Sequence, residues 1–557
     1  MARFNGTRAG LVVAVAALAS SSSAQTLLFA EGDQVPGEPY VARNTLELSA
    51  HPSGAWCVLV DIEGQTGYYG RPFVVGSQSD RGAAEVLARP GLRGGRTILG
   101  YTRFVPLPDD VYFAAGFLAA GGVPSEGIFQ GDELKLKTFG AIPGTGDLWS
   151  DFGTFAVSSE GQVTLKAFRL TPTGTSGFIN GGLEFDPLLE TGGILSPPGI
   201  PLTSVGFTDD GLTASGDHWG ANAIVDRGPG IGLTRGLLVN GELLEIDGVP
   251  IFRGDPAPPS ISATGTWDQI DPFVAPQVSA NGTVAFAQGM VSYAPGVPTF
   301  SGIAVRNGAV VFDPLNTVGG TQVRDVESIS LNSFGEYVSV ARLQPTSVYA
   351  IVYEGREVAR TGDTVDVDGD GVLDPGHELG FISSDDLVLT DAGDIYYLAR
   401  VISPTDDRLG VIRQSIALPS ERFCDATDNS TGVTGTVRAL GSRAVADHDL
   451  TIATAGLPRD QFGFLLCSRD TDFVPMAGGS DGNLCLGGTI GRFVAPGQIQ
   501  SSGRAGRIEV DVDVNALPQG GATVAAAPGE TWNFQLWHRD TSSGGSNFSA
   551  ALAVEFE

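Results

Sequence analysis

Ser279-Ala280-Asn281-Gly282-Thr283-Val284-Ala285-Phe286 is the stretch on which the reading of the fold turns. An apolar run ends at Val278, a turn with a glycine follows, and an alternating run resumes at Val284. Asparagine and glycine both accept positive φ, so Asn-Gly between two apolar runs is hairpin chemistry. Six more windows share this layout, at residues 48–54, 106–110, 157–161, 207–211, 331–335 and 389–393. Each precedes an apolar-rich run such as Val111-Tyr112-Phe113-Ala114 or Ile395-Tyr396-Tyr397-Leu398-Ala399. The period is roughly fifty to seventy residues, which signals a repeat architecture.

A second turn follows most windows: Gln130-Gly131, Asn180-Gly181, Asn240-Gly241, Asn307-Gly308 and Glu354-Gly355. Each unit therefore holds two hairpins, or four strands in a meander. About seven such units predict a β-propeller over residues 25–417. The last unit has a hairpin at 387–400 and a third strand near Leu409-Gly410-Val411-Ile412-Arg413, but no fourth. Thr26-Leu27-Leu28-Phe29-Ala30-Glu31-Gly32-Asp33 matches the end of a fourth strand at Glu357-Val358-Ala359-Arg360-Thr361-Gly362-Asp363. The N-terminal strand is thus expected to complete the last blade and close the ring, hiding the sheet edges. An open stack of β units is the alternative.

The composition fits this picture. Among 557 residues, 78 are glycine and 33 proline, which favours tight turns over long helices. A hydrophobic share of 42% is too high for a disordered chain. The formal net charge is -30, so the surface repels phosphate backbones and anionic membranes, and nucleic-acid binding is disfavoured. Arg3 and Arg8, an apolar run at 11–19 and the small residues Ser22-Ser23-Ala24 read as a signal peptide over 1–24. No later stretch approaches about 18 continuous apolar residues, so no membrane span is expected. Four cysteines suit an oxidising compartment and permit three full pairings.

On Asn332-x-x-Gly335 and Gly282-x-x-Ala285-Phe286, residues 25–415 resemble the secreted bacterial tandem-repeat proteins with an N-x-x-G-x-x-A-F signature. No single repeat carries both halves, and Asp110 replaces glycine in the second. The resemblance implies a β-propeller-like, secreted or surface-exposed protein of unassigned activity.

Residues 422–557 read as a separate β-sandwich. Ile508-Glu509-Val510-Asp511-Val512-Asp513-Val514 puts valines on one face and acids on the other, as in a half-buried strand. Gly482-Asn483-Leu484-Cys485-Leu486-Gly487-Gly488, Ile490-Gly491-Arg492-Phe493 and Ser546-Asn547-Phe548-Ser549 resemble a C-terminal module common on secreted proteins of aquatic bacteria. That resemblance implies a Cys424–Cys485 disulfide and leaves Cys467 free or joined to Cys57.

The best candidate site is Asp366-Val367-Asp368-Gly369-Asp370-Gly371-Val372-Leu373-Asp374. Carboxylates at positions 1, 3, 5 and 9, with a turn glycine at 6, wrap a hard cation, so Asp366, Asp368, Asp370 and Asp374 are expected to bind calcium. The flanks are strands, so it is a β-loop site and not an EF-hand. Asp33 and Asp363 recur in Gly-Asp turns, where aspartate caps the backbone. Asn533, Gln535, Trp537 and Arg539 share one strand face and form a polar-aromatic strip as a second ligand-binding candidate. The five histidines form no H-E-x-x-H, and there is no G-x-S-x-G elbow, P-loop or dinucleotide fingerprint. The leading expectation is a secreted, non-catalytic binding or structural protein, with an extracellular glycan or protein as partner. The alternative is a polysaccharide-active hydrolase or lyase with carboxylates in the propeller mouth.

Overall fold

The computed structural model describes residues 25–62, 73–79, 82–108, 110–158, 161–195, 200–204, 212–215, 217–269, 275–297, 299–344, 348–418, 420–503, 506–540 and 545–557. The targeting segment expected at 1–24 and the turn window at 207–211 lie outside them, as do Asp109, Ser159 and Glu160 within two further windows.

The described chain is almost wholly strand, with two short 3-10 turns at Val445–Asp447 and Ala477–Gly479. No described helix is long and apolar enough to cross a membrane. Seven antiparallel sheets follow one another. The sixth shows the plan: Thr321–Leu331, Tyr337–Leu343, Val348–Tyr353 and Arg356–Arg360 pair in sequence order. In the fifth sheet, Gln277–Val278 and Val284–Val291 flank the Asn281-Gly282 turn. Gly282 has φ +74 there, the left-handed conformation that the turn requires. Ala285 and Phe286 point to opposite faces of their strand and both are buried.

The seventh sheet takes three strands from the end of the repeat region, Glu378–Leu389, Asp394–Ile402 and Asp407–Ser415. Its fourth is Thr26–Ala30, antiparallel to Asp407–Ser415. The first strands of successive sheets touch one another all the way round, including the first sheet against the seventh. Those strands line the centre of a closed, propeller-like ring. Apolar clusters fill the spaces between neighbouring sheets; Phe29 of the closing strand packs with Trp56, Val58, Tyr396 and Val411.

A meander places its turns alternately at two ends. The windows and the third-to-fourth-strand turns share one, the window end. The second-to-third-strand turns and the connections between sheets share the other, the crossover end. Because the N-terminal strand fills the fourth place in the seventh sheet, the chain leaves that sheet at the window end.

Beyond it, a six-stranded sheet is built around Phe462–Ser468, Thr531–Asp540 and Gly545–Glu555. A three-stranded sheet holds Thr436–Gly441, Leu450–Ala455 and Ile508–Val512. Both contribute to one apolar cluster that includes Val437, Ile452, Val510, Leu465, Trp532, Phe534 and Val554. Ile508, Val510 and Val512 are buried while Glu509 and Asp511 are not, as the alternation requires. Cys424 and Cys485 are joined. Cys57 and Cys467 are both buried and free, so they do not pair.

Phe29→Ala should remove a buried ring from the closing strand and cost about 3–5 kcal/mol. Urea unfolding of the full chain measures this; a loss under about 1 kcal/mol would mean that the strand does not hold the ring shut.

Candidate functional site

The repeat windows are linked to one another. Asn281 Oδ1 accepts the Thr283 N–H within its own turn, and its Nδ2 donates to Phe334 O of the next window at 2.8 Å. Asn332 repeats the pattern, accepting from Phe334 N and donating to Thr390 O at 3.4 Å. Asp391 N then donates to Pro52 O in the first sheet. These asparagines shape one turn and clip it to the next.

The C-terminal unit sits on this floor. Glu336, directly after the sixth window, is 1% exposed and meets two arginines from that unit. Arg438 Nη2 lies 2.8 Å from Oε2 and Arg507 Nη1 lies 2.6 Å from Oε1. Tyr353 Oη and Asn332 Nδ2 also donate to the carboxylate, at 2.7 and 2.6 Å. Arg438 also donates to Asp391 O, and Arg459 to Gly282 O. Leu440 and Ala453 of the C-terminal unit join a cluster with Tyr353, Leu389 and Ile395 of the ring.

Burial alone would raise the Glu336 carboxyl, but Arg438 and Arg507, with the Arg438 and Tyr353 hydrogen bonds, hold it down to about 2. Burial pushes Asp391 up to about 6, against the Ser333 N–H on its Oδ1 and the nearby Arg438. Nothing in the repeat signature pointed to this cluster. The available signal was a lone arginine in the apolar run Thr436-Val437-Arg438-Ala439-Leu440, since charged groups inside such runs are buried only when paired.

The acidic loop belongs to the connection between the sixth and seventh sheets. Five such connections share one frame. Gly32 N donates to Ala42 O and Ala42 N to Asp33 O. The same reciprocal pair joins Phe139 and Gly140 to Trp149, Gly192 and Gly193 to Leu202, Gly254 and Asp255 to Trp267, and Gly362 and Asp363 to Leu379. Asp33 and Asp363 cap their turns, accepting Ala30 N at 2.9 Å and Arg360 N at 2.8 Å. In the last connection the frame is stretched, and the extra residues are the acidic loop.

Within it, Asp366, Asp368 and Asp374 each bring one carboxylate oxygen within 4.8 Å of the others. Oxygens about 2.4 Å from a common calcium ion fall within that spacing. Asp366 is buried and accepts the Gly369 and Gly371 N–H groups at 2.7 and 3.0 Å. Asp374 Oδ2 accepts Val367 N. Asp370 stands outside the trio; its Oδ1 accepts Val372 N at 2.7 Å. Of the four aspartates read from the sequence, the structure brings these three together. The loop also grips the closing strand: Asp366 N donates to Gln25 O and Leu27 N to Asp366 O.

The strip on Thr531–Asp540 is not an open surface. Gln535 is fully buried, with its Nε2 donating to Asn483 O and Ser549 O and its Oε1 accepting Cys485 N. Asn533 is buried as well, and Trp537 is half-buried against Phe464. Of the four residues only Arg539 is exposed. Strand alternation put them on one face correctly, but the hairpin of Asp470–Val474 and Leu484–Gly487 covers that face.

No protein-family model matches this chain, and no curated protein does. Among solved structures it is similar to prolyl oligopeptidase B from Galerina marginata, at 9% identity and a TM-score of 0.32, over 74% of this chain and 55% of that one. It thus spans little more than half of that enzyme. A protein of unknown function from Dyadobacter fermentans matches at 10% identity and TM-score 0.26, over 71% of this chain and 98% of its own. The Dos1 propeller matches at 8% identity and TM-score 0.19, over 96% and 97%.

Glu336→Gln should leave two buried guanidinium groups without their counter-charge and cost about 3–5 kcal/mol, read as a lower first transition in calorimetry of the full chain. The two carboxyls also set a pH window. The contribution of Glu336 is present above the ordinary carboxylate range and is lost as pH falls toward about 2. That of Asp391 is present below about 4 and lost as pH rises through about 6. Docking should be firmest near pH 4–5. Asp391→Asn should flatten the decline above it, gaining on the order of 1 kcal/mol at pH 7; an unchanged pH profile would refute this.

Proposed function

We propose that this chain is a secreted or surface-exposed, non-catalytic binding or structural protein whose ring serves as an interaction platform. The supporting observation is the crossover end. Five connections share one hydrogen-bond frame and differ in what they carry, from the short turn at Val35 to the acidic loop at Asp366. A constant frame with variable loops is how rigid scaffolds present recognition surfaces. The signal-like segment and the resemblance to secreted repeat proteins favour an extracytoplasmic location.

The acidic loop is proposed to hold calcium through Asp366, Asp368 and Asp374, with further oxygens from backbone or water. Because Asp366 also grips residues 25–27, the cation would tie the closing strand to the ring.

Titration calorimetry should show calcium binding by the full chain and its loss in Asp368→Ala. Saturating calcium at about 100 times Kd should add ~2.7 kcal/mol to stability. Equal heat from wild type and variant would remove the calcium claim. For the platform reading, the purified chain should bind immobilised glycans or proteins without cleaving them; polysaccharide turnover by the wild type would replace it with the enzyme reading.

A further inference from the structure

The large apolar side chains that the ring exposes are distributed unevenly. Among the described residues of the seven sheets, apart from Leu188 and Val249, every strongly exposed one lies in a connection between sheets or a second-to-third-strand turn, or at the strand end beside one. Phe139, Ile194, Leu233, Leu315 and Val372 are all between 61% and 71% exposed. All five belong to the crossover end, whereas the bonds from Arg438, Arg459 and Arg507 of the C-terminal unit reach the ring at the window end. Scattered exposed leucines need no explanation, but segregation to one end of a ring does.

Phe139 adds an independent sign. It occupies the frame position where the four matching connections have glycine, namely Gly32, Gly192, Gly254 and Gly362. Those glycines have φ between +87 and +95, and Phe139 itself has φ +58. A bulky side chain in the left-handed region is strained, and this one is mostly out in solvent, so little packing offsets the strain. Folding does not call for phenylalanine there.

The charge at this end selects the partner. Three of its arginines are paired within the protein: Arg89 with Glu38, Arg227 with Asp255, and Arg408 with Asp33. The acidic loop adds four aspartates, in a chain of formal charge -30. A second copy of this chain or an anionic membrane would be repelled. Four of the five side chains are branched aliphatics, which bury well against other side chains and lack the flat faces on which sugar rings stack; Phe139 is the one aromatic among them.

We infer that the crossover end is a docking surface for a cationic protein segment that alternates basic with apolar side chains. This rests on the platform reading and narrows its partner to protein. Phe139, Ile194 and Leu315 would be the apolar anchors, and the negative charge that the four aspartates of the 366–374 loop keep beyond a bound divalent cation would steer the approach.

The test pans a phage-displayed library of random 12-residue peptides against the full chain. Enriched peptides should carry net positive charge and apolar residues, and their affinity should fall with added salt. Phe139→Gly with Ile194→Ser and Leu315→Ser should weaken them at least tenfold, and Leu188→Ser less than twofold. The single change Phe139→Gly should also weaken binding while the melting temperature holds or rises, which separates lost contact from lost fold. Acidic or uncharged consensus peptides, or equal binding to the triple variant, would overturn the inference. If peptides or arrayed glycans bind but respond to Leu188→Ser, the platform reading stands and this surface is wrong. If the chain binds neither library nor glycans, both fail.

Discussion

The ring closes by pairing its first strand with its last. Thr26–Ala30 lies beside Asp407–Ser415, and the rest of the layout follows from that pairing. A seventh sheet completed from its own sequence would leave the chain at the crossover end. Borrowing the fourth strand from the N-terminus makes it leave one strand earlier, at the window end. The C-terminal unit is therefore delivered onto the floor of repeat turns, and the crossover loops are left uncovered. Closure also removes the two strand edges that an open stack would offer for aggregation.

Delivery does not fix orientation; the buried charges do. Arg438, in the strand Thr436–Gly441, and Arg507, just before the strand Ile508–Val512, converge on one carboxylate. A buried ion pair gains little net stability over an apolar contact of the same shape, because desolvation offsets most of the attraction. Its value here is geometric. Leu440 and Ala453 could pack against Tyr353 and Leu389 over a range of tilts, but tilting would strand Glu336 without partners. Arg459 on Gly282 O adds a second fixed point on the neighbouring window.

The architecture was legible in the sequence because it rests on local chemistry. Asn281-Gly282 marks a turn, alternation at Ile508 to Val514 marks a half-buried strand, and the likeness of 26–33 to 357–363 marks the closing strand. What stayed hidden depends on long-range proximity. Asn281 reads as a turn residue, yet its amide reaches Phe334, 53 residues on. Glu336 and Arg507 stand 171 residues apart, and nothing local to either names the other. The strip at Asn533 and Gln535 failed for the same reason, because covering it takes a hairpin from a distant part of the chain. Asp370 shows a finer limit. Motif spacing places four carboxylates in the loop, but not which of them converge.

The ring thus separates two tasks that a small repeat must otherwise share. At the window end neighbouring turns fit closely: a Cβ on Gly335 would meet Thr283 Oγ1 at 2.5 Å and Asn281 Oδ1 at 3.1 Å. At the crossover end five connections are held at their base by the reciprocal bonds, and no atom lies within 4 Å of where a Cβ would stand on Gly32, Gly192, Gly254 or Gly362. Side chains there meet no steric objection, only the conformational cost of positive φ. Phe139 shows that the frame is stiff enough to hold a residue against that cost. Variation is therefore concentrated at one end by the packing of the other, and the strain at Phe139 is tolerated because the backbone bonds of Phe139 N to Trp149 O and of Gly140 N to Lys137 O belong to the scaffold and not to the side chain.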